Sequence, residues 1–295
     1  MKIVVSDTLL PEVLSKMEGI GTVVYKPNDL NKELEDADAL VVRSATKVTR
    51  ELLSHAKKLK VVARAGVGLD NVDIQACQER AIKVVNTPSS STNAVAELAM
   101  CFMICLLRKV CKANSLLKGG KWEKNSLVGN EIAGKTLGIV GFGRIGFSVG
   151  QKAHALGMKI LAYDPHPKKI DWVSFVDLDT LYKESDIISL HTILVPETRN
   201  MINSSSIAKM KQGVYLMNIA RGELVDENAL YDACKSGKVA GAALDVFPSE
   251  PYSGKLLGLD NICATPHIGA STNEAQSGIG EELIIKLKEA LSPSG

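Results

Sequence analysis

Short runs of β-branched and aliphatic residues alternate along the chain with helix-length segments whose apolar positions recur every three or four residues. In the first third the pattern predicts strands at Ile3 to Ser6, Thr22 to Tyr25, Leu40 to Arg43, Val61 to Arg64 and Lys83 to Asn86. Later it predicts strands at Leu137 to Gly141, Lys159 to Tyr163, Asp186 to Leu190, Val214 to Ile219, Ala240 to Leu244 and Ile262 to Ala264. Strand and helix in regular alternation give the expectation of an α/β protein with two doubly wound parallel-sheet domains, one of them a dinucleotide-binding fold, and a cleft between them. A single long helix is expected from about Thr92 to Leu117, with Thr92 and Asn93 reading as its N-cap. The aperiodic Gly/Lys-rich stretch "KGGKWEKNSLVGNEIAGK" then reads as a crossing between lobes. "TNEAQSGIGEELIIKLKEALS" predicts one closing helix that packs back on the first lobe. The expected domains are therefore residues 1–96 completed by 275–295, with a flavodoxin-like fold, and 97–274, a Rossmann domain.

The segment "GIVGFGRIGFSVG" carries the most specific local signal. An apolar strand runs into Gly141, Gly143 and Gly146 and then into helix-compatible sequence. The first two glycines permit a tight turn and close approach of backbone to a pyrophosphate, and the third lets the helix pack on the strand. Amides at the helix start then face the phosphate charge. A second strand ends at Asp164, 18 residues after Gly146, placed to accept from ribose hydroxyls and to repel a 2′-phosphate. NAD is the expected cofactor over NADP, with Arg144, His166, Lys168 and Lys169 as nearby opposing charges.

Three later strands each end on polar chemistry. "VYLMNIARGELVDE" delivers Arg221, "AGAALDVFPSEP" delivers Asp245 and Glu250, and "NICATPHIGAST" delivers His267. Oxidising a carbinol requires removal of its hydroxyl proton as well as a hydride, so such a site needs a base, a cation and an orienting group. An imidazole at His267 supplies the first, with a carboxylate at Glu250 to set its tautomer. Arg221 supplies a two-donor fork for a substrate carboxylate. Asp245 is placed to accept from a carboxamide.

Composition narrows the partners. Lys and Arg number 35 against 33 Asp and Glu, so no global field recruits nucleic acid or an acidic membrane, and a small molecule is the expected ligand. The six cysteines lack CxxC or zinc-ligand spacing, which predicts buried, reduced thiols and no metal. "MKIVVSDTLL" is too polar for a signal peptide, and "LAMCFMICLL" covers about half a membrane span, so a cytoplasmic protein is expected. The helix "AELAMCFMICLLRKV" is apolar on more than one face, which suits burial in a homodimer interface.

Taken together, "RAGVGLDNVD", "GFGRIG", "YDP", "NIARGELVDE", "GAALDVF", "EP" and "PHIGAST" resemble the D-isomer-specific 2-hydroxyacid dehydrogenase family, over a span from about Asp36 to Gln276. The resemblance is nearest to the branch acting on 3-phospho-D-glycerate in serine synthesis, with glyoxylate or hydroxypyruvate reductases and NAD-sensing corepressors as other members of the same fold. It implies Arg221, Glu250 and His267 as the catalytic trio. It also implies an NAD site from Arg144, Ile145, Asp164, Thr192, Ile219, Ala220, Asp245 and the backbone at Gly269 and Ala270. "LHTILVPETRN" departs from the family's usual proline, placing Ile193 and Leu194 after Thr192. In the first lobe, Arg43 and Arg64 are expected at a substrate phosphate and the amides of Val67 and Gly68 at a carboxylate. In resembling enzymes a basic residue reaches in from a second subunit, a part that Lys124 or Lys121 is placed to play. Many members of the branch continue into a serine-sensing domain, so weak or absent serine inhibition is the expectation here.

Overall fold

A computed structural model describes residues 1–292. In chain order its elements are β1 (Lys2–Val5), α1 (Pro11–Glu18), β2 (Thr22–Tyr25), α2 (Leu30–Leu34), β3 (Ala39–Val42), α3 (Arg50–His55), β4 (Val61–Arg64), α4 (Ile74–Glu79), β5 (Lys83–Asn86), α5 (Thr92–Leu107) and α6 (Val110–Lys118). There follow β6 (Thr136–Val140), α7 (Arg144–Ala155), β7 (Lys159–Tyr163), β8 (Val173–Phe175), α8 (Leu178–Glu184), β9 (Ile187–Leu190), α9 (Ser204–Lys209), β10 (Val214–Asn218), α10 (Glu227–Ser236), β11 (Val239–Leu244), β12 (Ile262–Ala264) and α11 (Asn273–Leu291). Seven helices start on an Asp, Asn or Thr whose side chain accepts from a first-turn amide: Asp29, Thr49, Asp73, Asp177, Asn203, Asp226 and Thr272. Helix α7 starts instead on Gly143, which has no side chain to spend on its own amides.

The chain divides into two units, Met1–Thr92 with the segment from Ala270 onward, and Asn93–Gly269. The first holds a five-stranded parallel sheet in the order β2-β1-β3-β4-β5, the flavodoxin-like arrangement. Strand residues Ile3, Val5, Val41, Val61 and Ala63 pack on one face against Val13, Met17, Ile279, Leu283 and Leu287 of α1 and α11. The other face meets Leu34, Leu53, Ala76 and Cys77 of α2, α3 and α4.

The second unit holds a seven-stranded parallel sheet in the order β12-β11-β10-β9-β6-β7-β8. Its first six strands in chain order occupy the doubly wound dinucleotide-binding arrangement, and the order reverses between β6 and β9. Strand β8, three residues at the edge, was too short to show a period of two.

The boundaries differ by a few residues from 96/97 and 274/275, because Val95 and Ala96 already pack in the second unit's core beside Ile139, Met217 and Ile219, and Ala270 already packs against the first unit's core. The Gly/Lys-rich stretch after α6 likewise lies inside the second unit rather than crossing between lobes. The expected single helix is two. The Leu107 carbonyl accepts from the Asn130 amide at 2.8 Å, and Lys109 turns to φ +53°. A side chain on Gly129 would stand 2.3 Å from that carbonyl, so the incoming loop takes the place of the next helical turn. The N-cap reading at Thr92 also fails: its buried hydroxyl has no hydrogen-bond partner, while Asn93 bonds Glu97 and Lys152. Of the six free cysteines only Cys77 and Cys234 are buried; Cys101 and Cys111 are exposed, and Cys111 Sγ lies 2.9 Å from Cys263 Sγ. Sequence spacing carried no sign of that pairing because 152 residues separate the two.

Candidate active site

Strand register assembles the second unit's site. Across the sheet, Tyr163 pairs with Val140, Val140 with Leu190, Leu190 with Asn218, Asn218 with Leu244 and Leu244 with Ala264. The residues that follow these six strand ends are therefore neighbours along one carboxyl edge, where open α/β sheets bind ligands. They are Asp164, Gly141, His191 with Thr192, Ile219, Asp245 and Thr265.

At the glycine turn each glycine has its own reason. Gly141 takes φ +90°, and a Cβ there would lie 2.7 Å from the His191 carbonyl carbon and the Thr192 nitrogen. Gly146 brings α7 onto the turn, since a Cβ would stand 2.2 Å from the Gly141 carbonyl oxygen. A Cβ on Gly143 would meet nothing within 4 Å, so open space lies beside the start of α7. Arg144 and Ile145 form that first turn. Asp164 accepts from the Phe142 amide at 2.8 Å and the His166 amide at 2.9 Å, tying the acidic strand end to the turn. An uncapped helix start, open space beside Gly143 and an acid on the next strand fit a dinucleotide.

Thr192 is half-buried behind the turn, and the following Ile193 is exposed. His191, on the strand face shared with Ser189, has Nε2 2.7 Å from the Ser189 hydroxyl. Burial of its ring pushes its pKa down from 6.5 to about 4.

Beyond β10 the Asn218 side chain, 1% exposed, accepts from the Ala220 amide and donates to the Arg221 carbonyl at 2.8 Å. It thereby fixes the turn through Ile219, Ala220 and Arg221. The Arg221 Nη1 donates to the Ala220 carbonyl at 2.5 Å. Gly222 lets this turn touch the next, because a Cβ would lie 2.0 Å from the Phe247 carbonyl carbon.

Asp245, 1% exposed, accepts from the Thr265 hydroxyl at 2.6 Å, the Ile268 amide at 2.7 Å and the Gly269 amide at 2.8 Å. Its carboxylate clamps the loop on which His267 stands. Within that loop His267 adopts φ +55°, a left-handed conformation uncommon outside glycine. Its Nδ1 lies 2.9 Å from Glu250 Oε2, and Glu250 Oε1 accepts from the Phe247 amide at 3.2 Å. A neutral imidazole that donates through Nδ1 to this carboxylate keeps its lone pair on Nε2, free to take a proton. Ala270, by contrast, falls in the first unit, where its carbonyl accepts from Gln276.

In the first unit, Val42 pairs with Arg64, so Arg43 and Arg64 stand at adjacent strand ends. The Arg64 guanidinium lies across Gly66, which takes φ +151°, a backbone conformation that residues with a Cβ rarely adopt. Asn86 donates to the Val67 carbonyl at 2.6 Å, and Gly68 follows, half-buried. Lys124 and Lys121 are exposed on the second unit. Sequence reading missed Asn218 and Thr265, which touch the site residues rather than being them. The dipeptide spacing in "NIAR" and "TPH" was the available signal.

A dinucleotide fold with an imidazole–carboxylate pair and a fixed arginine on the carboxyl edge of its sheet has the groups that nicotinamide-dependent proton and hydride transfer requires. Residues 100–269 match the family model for the NAD-binding domain of D-isomer specific 2-hydroxyacid dehydrogenases. The chain is 54% identical to a hydroxypyruvate reductase of Thermotoga maritima, over 90% of this chain and 88% of that one. It is 45% identical to a D-3-phosphoglycerate dehydrogenase of Methanocaldococcus jannaschii, covering 99% of this chain but 57% of that relative's length. A D-lactate dehydrogenase from Aquifex aeolicus, complexed with NAD and lactic acid, superposes with a TM-score of 0.89 at 31% identity over the full length of both chains. The chain belongs to the D-isomer specific 2-hydroxyacid dehydrogenase family and is an NAD-dependent enzyme. Among the described residues, no group of three or more His, Cys, Asp or Glu could hold a metal ion, and no helix is long and apolar enough to cross a membrane.

Proposed function

We propose that this enzyme oxidises 3-phospho-D-glycerate to 3-phosphohydroxypyruvate with NAD and runs the reverse reduction, the first step of phosphorylated serine synthesis. The observation that carries the reading is the pair of arginines, Arg43 and Arg64, at adjacent ends of β3 and β4. Two guanidinium forks suit a phosphate dianion, which a plain hydroxy acid lacks. NAD at the glycine turn supplies the hydride acceptor. His267 takes the C2 hydroxyl proton on Nε2, while Glu250 holds the ring by Nδ1 and stabilises the imidazolium that results. Arg221 forks onto the substrate carboxylate and polarises the C2 oxygen. Asp164 accepts from the ribose; Arg144, Ile145, Thr192, Ile219, Ala220, Asp245, Gly269 and Ala270 complete the cofactor's surroundings, and the amides of Val67 and Gly68 meet the carboxylate.

Hydroxypyruvate reduction is the second reading, favoured by the 54% identity to a reductase of that name. The two differ by one phosphate, so a side-by-side assay of NADH oxidation decides. A kcat/KM for phosphohydroxypyruvate at least tenfold above that for hydroxypyruvate supports the phosphoglycerate reading, and the reverse ranking overturns it.

The same proposal includes a homodimer. Ile104, Val110, Leu117, Trp122 and Val128 are exposed along α5, α6 and the loop beyond, Trp122 by 84% and Val128 by 75%. Apolar side chains concentrated in 25 residues suit an interface with a second copy, and would bring Lys124 of one copy to the other. Sedimentation at micromolar concentration tests it, a monomer being the contrary result.

A further inference from the structure

The carboxylate of Asp7 is 7% exposed at the end of β1, and no step of the chemistry above uses it. Its Oδ2 accepts from the Arg43 amide at 2.6 Å and the Thr46 amide at 3.2 Å, and its Oδ1 accepts from the Thr46 hydroxyl at 2.6 Å. From the other side Asn71 Nδ2 donates to the carbonyls of Arg43 at 2.7 Å and Thr46 at 2.6 Å. Both ends of the four-residue segment 43–46 are thus held by amide and carbonyl alike. Its middle, Ser44 and Ala45, is exposed. The Arg43 guanidinium, through Nη1, donates to the Thr8 carbonyl at 3.3 Å, leaving most of its five donors for another acceptor.

We infer that Asp7 is a positioning residue for substrate selection: it sets the 43–46 loop so that the Arg43 fork and the loop's outward donors meet the anionic end of a phosphorylated substrate. The inference rests on the phosphoglycerate reading above. Burying a carboxylate near an anion site is unfavourable unless donors compensate it, and here three N–H or O–H groups do. A loop held at four backbone points is preorganised, so little ordering remains to be done when the anion binds.

The experiment compares D7N, T46V and T46S with R43A and the wild type, measuring KM and kcat for phosphohydroxypyruvate and for hydroxypyruvate, with NADH affinity as a control. D7N and T46V are expected to raise KM for phosphohydroxypyruvate at least tenfold, with kcat and NADH affinity within threefold and KM for hydroxypyruvate little changed. T46S, which keeps the hydroxyl donor, is expected to stay within twofold of wild type. If R43A shows the selective rise in KM but T46V and D7N leave the two keto acids' KM ratio unchanged, Asp7 has no positioning role and the inference is overturned. Should D7N fail to fold, the T46V and T46S pair decides alone. An R43A enzyme with unchanged KM for the phosphorylated acid overturns the phosphoglycerate reading itself, and this inference with it.

Discussion

Glu250 Oε2 stands 2.9 Å from His267 Nδ1, on side chains 38% and 42% exposed that come from loops 17 residues apart. Neither residue is held by the other alone: Phe247 anchors the glutamate, and Asp245 anchors the backbone beyond the histidine. Replacing Glu250 by Gln keeps an oxygen able to accept from Nδ1 but removes the charge that stabilises imidazolium. E250Q is expected to lose about 100-fold in kcat with NADH affinity within a few-fold, the scale of a missing acid–base partner. Steady-state kinetics with a fluorescence titration of NADH measure both, and an E250Q enzyme with wild-type kcat would remove the carboxylate from proton transfer.

Two glycines of the turn, Gly146 and Gly143, make separable expectations. A methyl at Gly146 collides with the Gly141 carbonyl oxygen, whereas one at Gly143 projects into open space. G146A is expected to cost about 2–3 kcal/mol through overpacking, roughly 5–10 °C in thermal midpoint for a unit of this size. G143A is expected to leave the midpoint within about 1 °C of wild type, while weakening NADH binding at least tenfold. Calorimetry and titration of both proteins check the pair, and a G143A protein with full NADH affinity would place the pyrophosphate elsewhere.

Acid stability follows from His191. Its folded pKa is about 4 against 6.5 when unfolded, so between those values the unfolded chain binds the extra proton. Stability is therefore complete above pH 6.5 and falls as the pH drops toward 4, by roughly 3 kcal/mol at most from this group. H191Q, keeping a partner for Ser189, is expected to flatten that limb in urea unfolding at pH 4.5 to 7. An unchanged slope would mean that the ring takes up its proton in the folded state as readily as in the unfolded one.

Much of this was legible in the sequence, for reasons that differ by residue. Gly141, Gly143, Gly146 and Asp164 sit at fixed offsets from strands, and backbone geometry imposes such offsets locally. The strand-end positions of Arg221, Glu250 and His267 were legible because each follows an apolar run, and the sheet's register then brings the runs side by side. What local pattern does not carry is contact across the chain. The Asp7 bonds to Thr46, the Asn130 amide on the Leu107 carbonyl and the Cys111–Cys263 approach join residues 23 to 152 positions apart. The split between α5 and α6 was hidden for the same reason, since its cause arrives from a later loop.

The central claim is that His267 exchanges the C2 proton beside a bound nicotinamide, and the H267A protein tests it most directly. Titrated with NADH and then mixed with phosphohydroxypyruvate or hydroxypyruvate, it is expected to bind NADH within a few-fold of wild type and to oxidise it at least about 1,000-fold more slowly with either acid. Turnover within tenfold of wild type, or a loss of NADH binding as large as the loss of rate, would contradict the account.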